Sequence, residues 1–200
     1  MPTNLFSLAL YVVMMTATPG PNNMLVTATG ARFGHRSLVP LIAGMVCGVL
    51  SQLLLCALGL GLLFERFPQI SQILEIAGSV FILYLAWKIA FSQGKNEERE
   101  GTQEEKPAGF FTGFGFQYFN PKVYVMTLTT MAIYPQMAEN YWLGALMVML
   151  CFALIAPFGI SLWGFFGTVA GKLLEAPGKG KRLRLGLGLL TAASVIFLWI

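Results

Sequence analysis

The first cluster of residues that could do chemistry interrupts an apolar stretch near the amino end of the chain. Residues 18–23 read Thr-Pro-Gly-Pro-Asn-Asn. Proline cannot donate a backbone hydrogen bond, so carbonyl groups one turn earlier lose their helical partners. Such freed groups are tolerated in a membrane only where protein or a wet cavity satisfies them. We interpret the cluster as part of a solute site rather than as a packed kink, with the candidate residues Pro19, Gly20, Pro21, Asn22 and Asn23.

A second cluster, Asn120-Pro121-Lys122, interrupts another apolar stretch in the second half of the chain. Asparagine followed by proline is typical of the N-cap and first residue of a helix, so we predict a new helix over 121–133. The amino end of that helix favours an anion, and the Lys122 ammonium reinforces the preference. A charge near the bilayer centre costs roughly 3 kcal/mol even on lenient scales, so we expect Lys122 to be functional.

Together the two clusters suggest a site for a zwitterion. Freed carbonyls and asparagine oxygens of the first cluster could receive an ammonium group, and the helix end with Lys122 could receive a carboxylate. A second assignment stays open, because backbone amides near Asn22 could equally take the carboxylate. Gln117 is a further candidate for lining the site. Like Gln52, it is a neutral polar residue within an apolar stretch, and either could instead bond across helices.

The composition indicates which elements must carry these clusters. Hydrophobic residues make up 56% of the 200 residues and charged residues only 11%, whereas soluble chains carry roughly 25% charged residues. The chain therefore cannot cover a soluble surface. This excludes a soluble enzyme, a disordered chain and a nucleic-acid-binding module. The fold class that remains is an all-α polytopic membrane protein that lies in a lipid bilayer.

Six apolar segments are candidates for crossing a bilayer core of about 30 Å, which takes roughly 20 residues in a helix. The first and the fourth contain the two clusters, so both are predicted to be broken helices. The sixth is short for a span. The segments lie at about 4–29, 38–63, 70–91, 109–133, 141–169 and 183–200.

The distribution of cations predicts the orientation. Eleven of the 13 Lys and Arg residues fall in alternate connections, which the positive-inside rule assigns to the cytoplasm. Both termini are then expected on the outer side, which is the periplasm for a bacterial inner-membrane protein.

A polar stretch at 93–108, rich in Lys, Glu, Gln and Gly, divides the chain. We predict a cytoplasmic linker there, between a three-helix repeat at 1–92 and a second one at 109–200. An odd number of spans per half inverts the second repeat relative to the first. That is the arrangement of transporters whose sites use interrupted helices near the membrane midplane.

These stretches resemble the LysE/RhtB family of amino-acid exporters over essentially the whole chain. The motifs are TPGPNN at 18–23, AGSVFILYLAWKIA at 77–90 and GFFTGFGFQYFNPKVY at 109–124. The resemblance implies a secondary transporter that exports small neutral amino acids by proton antiport, and YLAWKIA most resembles the branch exporting cysteine and O-acetylserine. The family's motif residues correspond to Pro19, Gly20, Pro21, Asn22, Asn120, Pro121 and Lys122.

The sequence departs from a simple proton-coupling scheme because it contains no aspartate. Glu75 lies near the outer end of the third span and is expected to reach water. His35 is the only histidine and is expected to be a solvated loop residue. Lys122 itself is a further hypothesis for the group that carries the proton.

Two alternatives to an amino-acid exporter stay open. One is an exporter of another small solute, such as an organic anion, because the motifs do not specify the cargo. The other is a membrane-embedded enzyme, which would need a nucleophile–base pair, an acidic dyad or metal ligands within the spans, and the chain offers none of these. No cofactor or metal is expected. A homodimer is considered because six short helices enclose little volume.

Overall fold

The computed structural model of the protein describes residues 4–60, 66–67, 69–91, 106–174, 180–193 and 195–196. Most of these residues are helical, and none of them lies in a strand. Their α-helices are α1 (Leu5–Ala17), α2 (Pro21–Phe33), α3 (Leu38–Leu55), α4 (Gln69–Ala90), α5 (Phe110–Tyr118), α6 (Pro121–Ile133), α7 (Tyr141–Leu174) and α8 (Gly180–Ala193).

Both predicted helix breaks are confirmed. The first predicted span is divided between α1 and α2, and α2 begins at Pro21, where proline's fixed φ suits the first helical turn. The fourth is divided between α5 and α6. Asn120 is the N-cap of α6, and its side chain accepts a hydrogen bond from the Lys122 backbone amide at 3.2 Å.

The third and fifth predicted spans correspond to α4 and α7, and α8 covers the sixth as far as Ala193. In the second predicted span, α3 is followed by a kink at Cys56–Leu60, where Gly59 has a φ of 104°, a conformation that favours glycine. Of the described helical segments, His35–Leu60 and Tyr141–Gly171 are by themselves long and apolar enough to cross a membrane. The predicted linker lies outside the described residues except for 106–108, and so does most of the predicted sixth span beyond residue 193.

Close helix pairs hold the two broken segments in place. α2 packs against α7 with Gly167 directly over the backbone carbonyl of Thr27. α3 packs against α5 in the same way, with Gly44 over the carbonyl of Phe110. A Cβ at either glycine would overlap the facing carbonyl, so only glycine permits these approaches. The helix after the first break and the helix before the second break are therefore both fixed by tight contacts.

Several polar side chains are buried within an apolar core, and many large apolar side chains are exposed. Gln117 and Thr127 are fully buried and Asn120 is nearly so, whereas Phe111 is 87% and Phe158 is 78% exposed. The exposed apolar surface is what is expected of a chain whose surroundings are lipid. Four of the buried polar residues lie where the two breaks meet, namely Asn23, Gln52, Gln117 and Asn120.

Candidate functional site

The carbonyl groups at the end of α1 are hydrogen-bonded by side chains. Asn23 Nδ2 donates to the carbonyl of Thr16 at 2.9 Å and to that of Thr18 at 2.8 Å. Trp163 Nε1, from α7, donates to the carbonyl of Ala17 at 3.2 Å. Trp163 was not a sequence candidate, although an indole N–H inside an apolar span is a signal that a partner is needed. The carbonyls of Thr16, Ala17 and Thr18 at this break are therefore engaged by the protein itself. Ala17 is one of the two residues, with Met15, whose carbonyls the prolines are predicted to free.

Lys122 reaches from α6 to the first break. Its ammonium Nζ lies 3.0 Å from the carbonyl oxygen of Thr18 and 3.5 Å from that of Pro19. The side chain passes over Gly20, where an added Cβ would lie 3.2 Å from both Cδ and Nζ of the lysine. The hydrogen-bond acceptors that the structure describes for this ammonium are both backbone carbonyls. The lysine of the second cluster thus donates hydrogen bonds to backbone carbonyls of the first cluster.

Four carboxamide side chains join the two breaks. Asn22 Nδ2 donates to Gln117 Oε1 at 2.8 Å, and Asn22 Oδ1 accepts from Gln117 Nε2 at 3.3 Å and from Asn120 Nδ2 at 2.9 Å. Gln52 Nε2, from α3, donates to the backbone carbonyl of Gln117 at 2.9 Å. A bond across helices is one of the two roles that the sequence allows for Gln52, and this bond to another helix agrees with it. The network brings together residues of α2, α3, α5 and α6.

The amino ends of α2 and α6 differ in how their backbone amides are used. The N-cap of α2 is Gly20, which has no side chain to cap the helix, and the amide of Met24 donates to the Gly20 carbonyl at 3.0 Å. The backbone amides of Asn22 and Asn23 lie in the helix before Met24, and no side chain caps them. By contrast, Asn120 caps α6. The uncapped end of α2 is therefore the stronger attractor for an anion.

A cavity of about 40 Å³ lies where the breaks meet, enough for a few water molecules. Its polar wall contains six of the nine sequence-predicted site residues, namely Gly20, Pro21, Asn22, Asn23, Asn120 and Lys122. Pro19 and Gln117 lie beside it through their contacts with Lys122 and Asn22, and Pro121 begins α6. Its remaining wall is formed by Met15, Thr16, Val46, Val49, Val123, Met126, Phe152, Ala156 and Ile160.

The other titratable candidates lie apart from the cavity or outside the described side chains. His35 is exposed in a short 3₁₀ turn at His35–Ser37, consistent with a solvated loop residue. The side chain of Glu75 lies outside what the structure describes. Within the described residues, no three His, Cys, Asp or Glu side chains come together as a metal site would require.

An apolar helical chain whose polar interior joins two helix breaks around a cavity is a membrane transport protein. A family model described as LysE type translocator matches residues 13–199. The chain belongs to the LysE family of translocators, as its motifs indicate. It is therefore a transporter, and the interpretation as a membrane-embedded enzyme is wrong.

Curated relatives agree over nearly the full chain. The chain is 33% identical over 192 residues to the "Cysteine/O-acetylserine efflux protein" of Salmonella choleraesuis (strain SC-B67), covering 94% of each chain. It is 32% identical over 201 residues to the protein of the same name from Escherichia coli (strain K12), covering 98% of each. No solved structure matches the chain.

Proposed function

We propose that the protein exports small neutral amino acids or their derivatives, of the cysteine and O-acetylserine type, across the bacterial inner membrane by proton antiport. The relatives named cysteine/O-acetylserine efflux proteins support the class of solute. The observation that carries the proposal is the meeting of Lys122 and an uncapped helix end in one cavity. An exporter of another small solute, such as an organic anion, is the alternative, and the test below separates the two.

The carboxylate of the solute binds between the Lys122 ammonium and the backbone amides of Asn22 and Asn23. Lys122 donates to the carbonyls of Thr18 and Pro19, which carry no net charge, so a carboxylate is the partner that would neutralise it. An unneutralised charge inside a membrane is costly, and a helix end adds to the attraction for an anion. Of the two assignments that the sequence leaves open, this supports the one with the carboxylate at the first break.

The binding position of the solute's ammonium group follows from the same geometry. When Lys122 turns towards the carboxylate, it releases the carbonyls of Thr18 and Pro19. Those carbonyls are then available to accept hydrogen bonds from the solute's ammonium. Lys122 thus acts as an internal cation that exchanges places with the cation of the solute, and the empty site keeps its carbonyls satisfied, as buried carbonyls require.

The proposed architecture is two inverted three-span repeats, at 1–92 and 109–200, joined by a cytoplasmic linker at 93–108. In this arrangement α1 with α2 forms the first span, and α5 with α6 forms the fourth. The corresponding positions of the two breaks support the inversion. The positive-inside rule supports periplasmic termini. We include a homodimer in this proposal because so few helices enclose little volume.

Uptake into everted membrane vesicles from cells that overexpress the protein tests the function. Labelled cysteine, O-acetylserine, lysine and succinate are offered with and without a proton gradient. Lys122→Met keeps the length of the side chain and removes its charge, so we expect uptake to fall about 100-fold, or about 2.7 kcal/mol. Lys106→Met removes an exposed lysine that does not line the cavity, and should leave uptake unchanged.

Gradient-dependent uptake of cysteine or O-acetylserine, lost in Lys122→Met and kept in Lys106→Met, is the expected result. Preferential uptake of succinate would replace the proposal with the organic-anion alternative. Correctly inserted protein that takes up no amino acid would overturn the proposal. Uptake that does not depend on the proton gradient would contradict proton antiport and leave the rest of the proposal unchanged.

A further inference from the structure

One helix supplies a continuous apolar face to the cavity. Phe152, Ala156 and Ile160 of α7 all line it, and their spacing of four residues places them on one side of the helix. They are 1%, 3% and 4% exposed, so none of the three faces lipid. These side chains do not belong to either break, and they are free to contact a part of the solute that the breaks do not bind.

The chemistry of the cavity restricts that part of the solute to an uncharged group. Lys122 is the one charged residue among the described residues that line it. A second cation on the solute would meet this lysine without a carboxylate to offset it. A second anion would lie against an apolar wall, where burying an unpaired charge is unfavourable. The face of α7 therefore suits an apolar or weakly polar side chain.

Phe152 is the most rigid large group in this wall. Its ring has only two rotatable bonds and is almost completely buried, whereas Met15 and Met126 are unbranched and adapt their shape. α7 is also held close to α1 beside this wall, where Gly159 lies directly on the Thr16 side chain. Ala156, one turn from Phe152, has the smallest side chain of the three α7 residues that line the cavity.

We propose that Phe152 and Ala156 set the width of the solute's side chain, so that narrow unbranched side chains are accepted and aromatic ones are excluded. This inference rests on the proposed function, because it assumes an amino acid in the cavity. Removing the ring of Phe152 creates a space that a second ring could fill. Enlarging Ala156 narrows the space that the wild type leaves open.

The test compares the uptake of labelled cysteine, O-acetylserine and phenylalanine into everted vesicles. In Phe152→Ala we expect the ratio of phenylalanine to cysteine uptake to rise about tenfold, and in the milder Phe152→Leu about threefold, in line with small changes in apolar pockets. In Ala156→Val we expect O-acetylserine uptake to fall about tenfold relative to cysteine. Phe158→Ala, on the same helix but with its ring 78% exposed, should leave both ratios unchanged.

The outcomes separate this inference from the proposed function. If wild-type vesicles take up no amino acid, the proposed function itself is wrong. If they take up cysteine but the Phe152 and Ala156 variants keep the wild-type ratios, the size limit lies elsewhere and this inference is wrong. If Phe152→Ala does not insert, the uptake ratios of Phe152→Leu and Ala156→Val still test this inference. These two substitutions change the volume of the wall by less, and in opposite directions.

Discussion

The two helix breaks both contain proline and asparagine but satisfy their backbones differently. At the second break, Asn120 caps the helix that follows it, and Gln52 donates to the carbonyl of Gln117 before it. At the first break, Asn23 and Lys122 both donate to the carbonyl of Thr18, and Trp163 donates to that of Ala17. The helix end that follows the first break is left uncapped.

This difference assigns different roles to the two breaks. The helix after the second break is capped, so that break can serve as a support for Lys122. The helix after the first break is uncapped, so backbone amides are left there for a ligand. This is why we propose the first break as the one that receives the solute.

The largest expected effect is on the stability of the first break. Asn23→Ala removes both hydrogen bonds to the α1 carbonyls and leaves the Thr16 carbonyl without this donor. We expect a loss of about 2 kcal/mol in the free energy of unfolding. Thermal unfolding of the purified protein should show a midpoint lower by about 4–8 °C. Gln136→Ala, which removes an exposed carboxamide, is the control, and equal midpoints for the two variants would contradict this account.

The second prediction concerns a variant that gives the first break a helix cap, which the second break already has. Gly20→Ser places a hydroxyl at the N-cap of α2, where the backbone is extended with φ of −177° and accepts any residue. The hydroxyl would cap the amides of Asn22 and Asn23 and compete with the solute carboxylate. We expect the KM for uptake to rise about tenfold, or about 1.4 kcal/mol.

Gly20→Ala is the matched control, because it introduces the same Cβ beside Lys122 without the hydroxyl. The serine variant should have the higher KM. The same KM in both variants would mean that contact with the lysine, and not capping, causes the effect.

The third prediction concerns the loss of the helix cap at the second break. Asn120→Ala removes the cap of α6 and the bond to Asn22, and loss of a cap alone costs about 1 kcal/mol. Asn120→Ser retains a capping oxygen and should lose less. The comparison is made by thermal unfolding, with midpoints expected to fall by about 2–4 °C for the alanine variant. A serine variant as unstable as the alanine variant would show that the cap is not what holds this break.

The smallest expected effect concerns the contact between α7 and the first break. Trp163→Phe keeps an aromatic ring but removes the donor to the Ala17 carbonyl, and should cost about 0.5–1 kcal/mol. Trp142→Phe makes the same change at a ring that is 58% exposed. Chemical denaturation of the two variants should rank Trp163→Phe as the less stable. The opposite ranking would mean that this hydrogen bond contributes nothing measurable.

The sequence predicts the second break to the residue because its signals are local. Asn120 and Pro121 are adjacent, and together they specify a cap and a helix start. The first break was located correctly, but its partners were not, because Lys122 and Trp163 reach it only through the fold. The uncapped end of α2 was left as one of two alternatives, since an Asn-rich helix start looks the same whether or not its amides are in use.

Two features of the fold were not predicted from the sequence. The kink at Cys56–Leu60 lies in an apolar run, so hydrophobicity does not mark it, and Gly59 is the local signal that could have indicated it. α7 continues to Leu174, five residues beyond the predicted span, because a helix need not end where its apolar stretch ends. The roles of the nine site residues in binding and the six-span arrangement stay predictions.

The reciprocal bond between Asn22 and Gln117 has a consequence for a protein that works between compartments of different acidity. Both side chains are neutral carboxamides, which neither gain nor lose a proton over the physiological range. An aspartate–lysine pair in the same place would weaken wherever its carboxylate became protonated. The contact between the two halves of the chain therefore keeps the same strength on acidification, and a cell in an acidic environment retains it.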